Sequence, residues 1–404
     1  DRQPRPDIAW PAPAAEIEDA PRFPWRGVML DSSRYFQPID ALKKYIDVLS
    51  QHKINVFHWH LVDDQGWRLE IKKYPKLTEI GSKRRETIKG HGNLKLEGDG
   101  QPIEGFYTQD EVRDLVSYAS ERHVQILPEI EMPGHAQAAV AAYPELGLLA
   151  KAKPVSCIWG IHETLFNTKP ATFDFLKDVL EEVITLFPFE YLHIGGDEAI
   201  KPQWENDPET QAHIKELGLK DEDALQSWFI REIEAFLQTK NRKLVGWDEI
   251  LEGGLAPSAT VMSWRGIEGG IEAARQGNDA IMCANPYLYF DYSQDETGIN
   301  EPLTIRPNLT LEKAHSYEPI PSELDADQAK HIIGVQAQLW SEYIATPSRL
   351  EYMSFPRVCA SSEVAWSSRE RPDFPHFLKR LCTHLRRLDS QDVRYRAPLE
   401  YIKP

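Results

Sequence analysis

From Trp25 onward the chain alternates between short β-rich runs and longer stretches with helical spacing, and this alternation restricts the fold more than any other feature. The β-rich runs are Gly27–Asp31, Ile54–Val62, Val124–Ile130, Tyr191–Ile194, Leu244–Trp247, Thr260–Trp264, Ala280–Ala284 and Ile332–Leu339. Between most of them lie amphipathic stretches. In Pro38–His52 the apolar residues Ile39, Leu42, Ile46 and Leu49 make one helical stripe. Asp110–Arg122, Ala171–Phe187, Asp223–Lys240, Gly269–Gln276 and Ser348–Ser361 read the same way. Strands alternating with helices predict an α/β fold, and eight of them predict a (β/α)8 TIM barrel. The barrel need not be regular between the seventh and eighth strands, where Asn285–Lys330 is irregular and aromatic-rich. A last amphipathic helix, Asp373–Leu388, carries Phe374, Phe377, Leu378, Leu381, Leu385 and Leu388 on one stripe and is expected to pack on the barrel.

The length of 404 residues admits one large barrel, and 41% apolar residues supply its core. Residues 1–20, within a proline-rich start, read as a linker, and residues 21–404 as the barrel with its C-terminal helix. No window approaches the length of a membrane span. A net charge of -17 opposes non-specific association with nucleic acid and suits a neutral substrate. Cys157, Cys283, Cys359 and Cys382 are scattered without CxxC spacing, so they are expected as buried apolar side chains rather than a disulfide framework or a zinc site. Asn308-Leu309-Thr310 matches a glycosylation sequon, a short and unspecific pattern.

In such a barrel the chemistry lies at the C-terminal ends of the strands. The exits read Asp31-Ser32-Ser33-Arg34, then His58 to Asp64, then Glu129 to His135, then Asp197-Glu198. Trp247-Asp248-Glu249, Ser263-Trp264-Arg265, Asn285 to Asp291 and Gln336 to Glu342 follow. Three strands end in a tryptophan (Trp247, Trp264 and Trp340), and with Tyr289 these form an aromatic ring around the mouth. Aromatic faces stack on the C–H faces of sugars and enclose small apolar groups such as a methyl. Carboxylates and an arginine beside them suit vicinal hydroxyls. The combination points to a carbohydrate.

Asp197 and Glu198 follow the run Tyr191-Leu192-His193-Ile194 and two glycines. Neighbouring strand residues face opposite ways, so both acids reach one site only if the backbone turns there. The usual glycosidase mechanisms need two carboxyls about 5 Å or more apart on opposite sides of the sugar, which adjacent residues serve poorly. A 2-acetamido group on the substrate removes the difficulty. Its own carbonyl oxygen attacks, one acid protonates the leaving oxygen, and the other holds the acetamido N–H.

His193-Ile194-Gly195-Gly196-Asp197-Glu198, with Trp25-Arg26-Gly27-Val28-Met29-Leu30-Asp31 and His58-Trp59-His60-Leu61-Val62-Asp63-Asp64-Gln65, resembles glycoside hydrolase family 20, the β-N-acetylhexosaminidases. The resemblance runs from about Pro21 to about Ser368. It implies an exo-acting, retaining enzyme that removes terminal GlcNAc or GalNAc through an oxazolinium intermediate. In this reading Glu198 matches the general acid/base, Asp197 the residue that orients the acetamido group, and Tyr289 the donor to its oxygen. Trp247, Trp264 and Trp340 would box the acetyl methyl and floor the sugar, while Arg34, Asp291 and Glu342 would clamp its hydroxyls. His135 with Asp63 resembles the polar relay that serves the acid, which must keep its proton near the working pH. The resemblance implies no cofactor or metal, β-linked N-acetylhexosamine glycans as partners, and a secreted or periplasmic location. Ala12–Ala20 would be the remnant of an N-terminal α/β domain. Glu131, where many members carry aspartate, stays outside the assigned set.

Three other readings are available. A disaccharide-releasing relative, of the lacto-N-biosidase kind, needs the hydroxyl clamp opened. A metal-dependent barrel amidohydrolase would use His58 and His60, which share a strand face, although the fifth and sixth exits carry no histidine. In the structural reading His60 braces a loop and His58 packs beside Trp59. A sugar-binding barrel without catalysis would not need both Asp197 and Glu198.

Overall fold

The computed structural model describes residues 13–401 except 92–96, 150, 152 and 296–300. Eight parallel strands close into a barrel in chain order. They are β1 (Trp25–Asp31), β2 (Val56–His60), β3 (Gln125–Met132), β4 (Tyr191–Gly195), β5 (Lys243–Trp247), β6 (Thr260–Ser263), β7 (Ala280–Met282) and β8 (Ile332–Ala337). Each corresponds to one of the predicted runs, with ends moved by a few residues. Closure is made by β8 on β1, where Trp25 lies opposite Gly334 and Val28 opposite Ala337.

Side-chain alternation along each strand divides the core in two. Outward residues such as Val28, Phe57, Trp59, Ile126 and Leu192 pack under the helices. Inward residues Trp25, Val56, Leu127, Val245, Met262 and Ile281 fill the barrel. Further along the same inward faces come His58, His60, Glu129, His193 and Gln336, all fully buried. The barrel is therefore apolar in its lower part and polar towards its C-terminal mouth. Trp59 points outward, 4.6 Å from Tyr107, while His58 lies 4.6 Å from His193 inside, so His58 does not pack beside Trp59 as expected. Successive strand residues cannot share a face.

Helices around the barrel include α1 (Ile39–Gln51), α2 (Gln109–Ser120), α3 (Pro170–Leu186), α4 (Glu222–Thr239), α5 (Glu268–Gln276), α6 (Pro347–Ser354), α7 (Arg357–Trp366) and α8 (Phe374–Ser390). Local chemistry marks their ends. A capping box of Thr108 with Glu111 opens α2, and Asp221 accepts from Ala224 N–H at the start of α4. Gly277, in the left-handed region at φ +84°, closes α5. Only a short 3-10 segment, Asp248–Leu251, links β5 to β6.

The stretch Ser348–Ser361, predicted as one helix, is two. Pro356 has no N–H to donate and separates α6 from α7. The break starts α7 at Arg357, whose fully buried guanidinium donates to the carbonyls of Phe290, Tyr292, Leu309 and Met353. That side chain pins the loop after β7. Helix α8 buries Phe377, Leu381, Leu385 and Leu388 against the barrel, as its stripe predicts. The described part of the expected linker, residues 13–20, is exposed and has no regular secondary structure, while residues 1–12 lie outside the described set. Cys283 and Cys359 are buried as expected, but Cys157 is half-buried and Cys382 exposed, and all four are unpaired thiols. No helix among the described residues is long and apolar enough to cross a membrane.

Candidate active site

A cavity of about 240 Å³ opens at the C-terminal mouth of the barrel. It is smaller than pockets that hold drug-sized ligands, which start at ~300 Å³, and suits a single sugar ring. Asp197, Glu198, His135, Tyr289, Arg34, Asp291, Glu342 and the three tryptophans Trp247, Trp264 and Trp340 all line it. Ten of the eleven expected site residues thus meet in one place. The eleventh, Asp63, is buried directly behind His135.

The turn after β4 explains how two adjacent acids face one cavity. Gly195, Gly196 and Glu198 have φ of +69°, +88° and +47°. Left-handed backbone at three of four residues reverses the strand alternation. Gly195 is required for space as well as conformation, because a Cβ there would stand 1.6 Å from Glu131 Oε2. Oxygens of Asp197 and Glu198 lie within 4.8 Å of each other and of a His135 ring nitrogen. Asp197 Oδ1 is buried with no protein hydrogen-bond partner among the described residues.

His135 connects this pair to the barrel interior. Its Nε2 stands 3.4 Å from Glu198 Oε2 and 3.6 Å from Asp197 Oδ2, and its Nδ1 lies 3.1 Å from both Asp63 Oδ1 and Asp64 Oδ2. Burial alone would depress the imidazole, but the carboxylates of Asp63 and Asp197 outweigh it and hold His135 well above the usual histidine range. The ring is a cation, with an N–H aimed at each set of acids. Asp63 also receives Arg34 Nη2 at 2.8 Å and His60 Nε2 at 3.0 Å. Arg34 first, then His135 and His60, overcome burial and keep its carboxylate well below the ordinary range.

His60 passes the network on to Glu129, which contacts four inward groups. His60 Nδ1 lies against Glu129 Oε2, with His58 Nε2 3.1 Å from the same oxygen. His193 Nδ1 is 2.8 Å from Oε1, and Trp247 Nε1 donates to Oε1 at 2.8 Å. Burial opposes charge on both partners, yet Glu129 holds His60 up at about 10 and the three imidazoles hold Glu129 well below its ordinary value. His58, with burial dominant, falls to about 4 and is neutral. His60 therefore braces the Asp63 loop as expected, and it also reaches into the interior.

The aromatic part is fixed by acids that sequence reading did not assign. Trp247 depends on Glu129, and Trp264 Nε1 donates to Glu249 Oε2 at 2.9 Å. Burial, then the charges of Asp197 and Asp248, raise Glu249 to about 9, so its carboxyl is protonated at neutral pH. Trp264 stacks near Tyr289 at 6.0 Å and 23°, and Trp247 meets Trp340 at 5.8 Å. Tyr292 and Ile305 join the lining.

The clamp residues sit across the cavity. Arg34 donates through Nε to Gln65 Oε1 at 2.7 Å and packs over Trp340 at 5.2 Å. Both Asp291 oxygens and Glu342 Oε2 are buried without a protein hydrogen-bond partner among the described residues. Burial, followed by the charge of Glu342, raises Asp291 well above the carboxylate range, and burial raises Glu342. These are acceptors and donors poised for hydroxyl groups. Glu131, left unassigned, is buried beneath the turn, and burial with the Asp197 and Glu129 charges keeps it protonated. Its sequence signal was its inward parity with Glu129 on β3, two residues away.

The family model "Glycosyl hydrolase family 20, catalytic domain" matches residues 23–369. A β-hexosaminidase of Porphyromonas gingivalis is 47% identical over 389 residues, covering 96% of this chain and 48% of that protein. The crystal structure of a family 20 exo-β-N-acetylglucosaminidase from Vibrio harveyi, in complex with N-acetylglucosamine, superposes with a TM-score of 0.85 at 38% identity, covering 94% of this chain and 60% of that one. The crystal structure of another β-N-acetylhexosaminidase gives 0.86 at 31% identity, covering 95% of this chain and 81% of that one. The chain spans about half the length of the Porphyromonas gingivalis relative and of a β-hexosaminidase of Vibrio furnissii, 48% and 57%.

Proposed function

The chain belongs to glycosyl hydrolase family 20, and from that premise we propose that it is an exo-acting, retaining β-N-acetylhexosaminidase. Its substrates are the terminal β-linked GlcNAc or GalNAc residues of glycans or chitooligosaccharides. The observation that carries the reading is that Asp197 and Glu198 line one cavity with oxygens within 4.8 Å of each other. Carboxyls on adjacent residues are poorly placed to flank a scissile bond with a nucleophile on the far face. The nucleophile is then the substrate's acetamido oxygen. Membership of the family also removes the metal-dependent amidohydrolase from consideration.

In the first step the acetamido carbonyl oxygen attacks C1 while the bond from C1 to the leaving oxygen breaks. Glu198 gives its proton to that oxygen. Asp197 accepts a hydrogen bond from the acetamido N–H and offsets the positive charge of the oxazolinium ring, and Tyr289 donates to the ring oxygen. In the second step Glu198, now a carboxylate, takes a proton from water as that water attacks C1 and the bond from C1 to the acetamido oxygen breaks, which restores the acetamido group. Two inversions leave the β configuration unchanged. His135 Nε2, 3.4 Å from Glu198 Oε2, is within reach of the acid in both of its roles.

Trp247, Trp264 and Trp340 enclose the acetyl methyl and one sugar face. Arg34, Asp291 and Glu342 bind the outer hydroxyls, and their closure around about 240 Å³ favours release of one sugar over a disaccharide. Aryl β-GlcNAc, β-GalNAc and β-glucoside substrates should be compared side by side, with and without a thiazoline inhibitor. The two acetamido sugars should be cleaved and thiazoline should block both. Efficient cleavage of the glucoside, which has no acetamido nucleophile, would overturn substrate assistance.

A further inference from the structure

Away from the barrel mouth, three metal-ligating side chains from distant parts of the chain converge. His52 caps the C-terminal end of α1, Cys359 lies in α7, and His384 lies in α8. His52 Nε2 is 2.8 Å from His384 Nε2 and 3.3 Å from Cys359 Sγ. All three ligand atoms lie within 4.8 Å of one another. They border a cavity of about 580 Å³ between α8 and the barrel. We propose that His52, Cys359 and His384 bind a zinc ion that clasps the C-terminal helix to the barrel.

The hydrogen-bond inventory favours this over a simple polar trio. His52 Nδ1 is 2.6 Å from the Val48 carbonyl, which can only accept, so Nδ1 carries the proton and Nε2 is a bare lone pair. That one in-plane lone pair faces both Cys359 and His384 at close range. Only one of them can make a well-aligned bond to it. A cation among the three atoms accepts a pair from each.

The Val48 carbonyl also orients the ring, as outer-sphere acceptors do for metal-bound histidines. Zinc takes His nitrogen at about 2.0–2.1 Å and Cys sulfur at about 2.3 Å. Tetrahedral ligands at those lengths stand ~0.3–0.6 Å further apart than here, a shift the half-buried His384 can supply on α8. Two imidazoles and a thiol select zinc over magnesium or calcium, and the fourth position opens to the cavity. Binding displaces the Cys359 thiol proton, which leaves to solvent as the sulfur–zinc bond forms. Of the cations at the rim, Arg380 is held by Glu363 at 2.7 Å through both carboxylate oxygens.

The purified full chain, stripped with a chelator, should be titrated with zinc and separately with cobalt(II), alongside Cys359→Ser and His384→Ala. The wild type should bind one zinc per chain at this site, show a thiolate-to-cobalt charge-transfer band and unfold at a higher temperature with zinc than without. Both variants should lose the thermal shift, Cys359→Ser should lose the band, and aryl-glycoside hydrolysis should be unchanged in either. His384→Ala, at a half-buried position, keeps the test available if Cys359→Ser does not fold. A wild type with neither band nor shift, or a shift retained in His384→Ala, would overturn the assignment.

Discussion

Replacing Glu129 by glutamine removes a charge and almost no volume, and so isolates what one buried carboxylate does at the centre of the barrel. Glu129 is fully buried and contacts His58, His60, His193 and Trp247. Glutamine still presents an oxygen to the Trp247 N–H. What it cannot do is balance the His60 imidazolium. Burial works against that cation, but Glu129 first and Asp63 next raise it from 6.5 to about 10.

The sign of the pH dependence follows from that shift. A histidine whose folded value lies above its unfolded value stabilises the fold fully below pH ~6.5 and loses the contribution as pH rises towards ~10. At 1.36 kcal/mol per unit the interaction amounts to ~4 kcal/mol at pH 7. Asp63 remains in Glu129→Gln, so the expected loss is about 2–4 kcal/mol at pH 7, in line with breaking one side of a buried ion pair. Urea unfolding followed by tryptophan fluorescence at about pH 6, 8 and 10 measures it. The deficit should be largest at pH 6 and small at pH 10. An unchanged midpoint at pH 6, or a deficit that grows with pH, would refute the assignment of His60 as a cation held by Glu129.

Glu198→Gln should lower kcat by about 10²–10⁴-fold with little change in KM, read from steady-state hydrolysis of an aryl β-GlcNAc; a loss under tenfold would remove Glu198 as the proton donor. Gly195→Ala should destabilise by roughly 3–5 kcal/mol in denaturant unfolding, since φ is +69° and the new Cβ would stand 1.6 Å from Glu131 Oε2; a neutral result would mean the turn is not as described. Glu249→Gln should stabilise the protein at high pH. An acid raised from 4.5 to about 9 withholds stability as pH climbs through that window, by up to ~5 kcal/mol at pH 8, so the gain should vanish near pH 4.

The barrel was readable because its strands are covered on both sides, which turns each into a compact apolar run, and because most of its helices carry one buried stripe. The site was readable where function leaves polar or aromatic groups at strand exits. Legibility stopped where a residue's neighbour in space comes from another strand. Glu129 looks like any acid near a strand end, and nothing in one sequence says that three histidines and a tryptophan surround it. Glu249 is similar, because its role depends on Trp264, which belongs to the next strand. The α6–α7 break was available in principle, since Pro356 stands inside the predicted helix. The apolar periodicity on either side masked it.

The turn at Asp197-Glu198 shows the same limit at the point where it matters most. Gly195-Gly196 announced a change of direction, but glutamate has no preference for the left-handed region that Glu198 occupies at φ +47°. Such a residue costs of order 1–3 kcal/mol and persists only when its surroundings leave no alternative. Those surroundings come from four other segments. Gln226 Nε2 donates to the Gly196 carbonyl at 2.8 Å, and Ile250 closes on Gly196 so that a Cβ there would meet its Cγ2 at 2.6 Å. A Cβ on Gly134 would stand 3.0 Å from the Asp197 carbonyl oxygen, and Glu131 fills the space beneath Gly195. The adjacency of the two acids is therefore local in sequence, whereas their convergence on one cavity is imposed by α4, by the 3-10 segment after β5, by β3 and by the loop that follows β3. A substitution at Gln226 or Ile250 can misdirect Glu198 without touching the cavity.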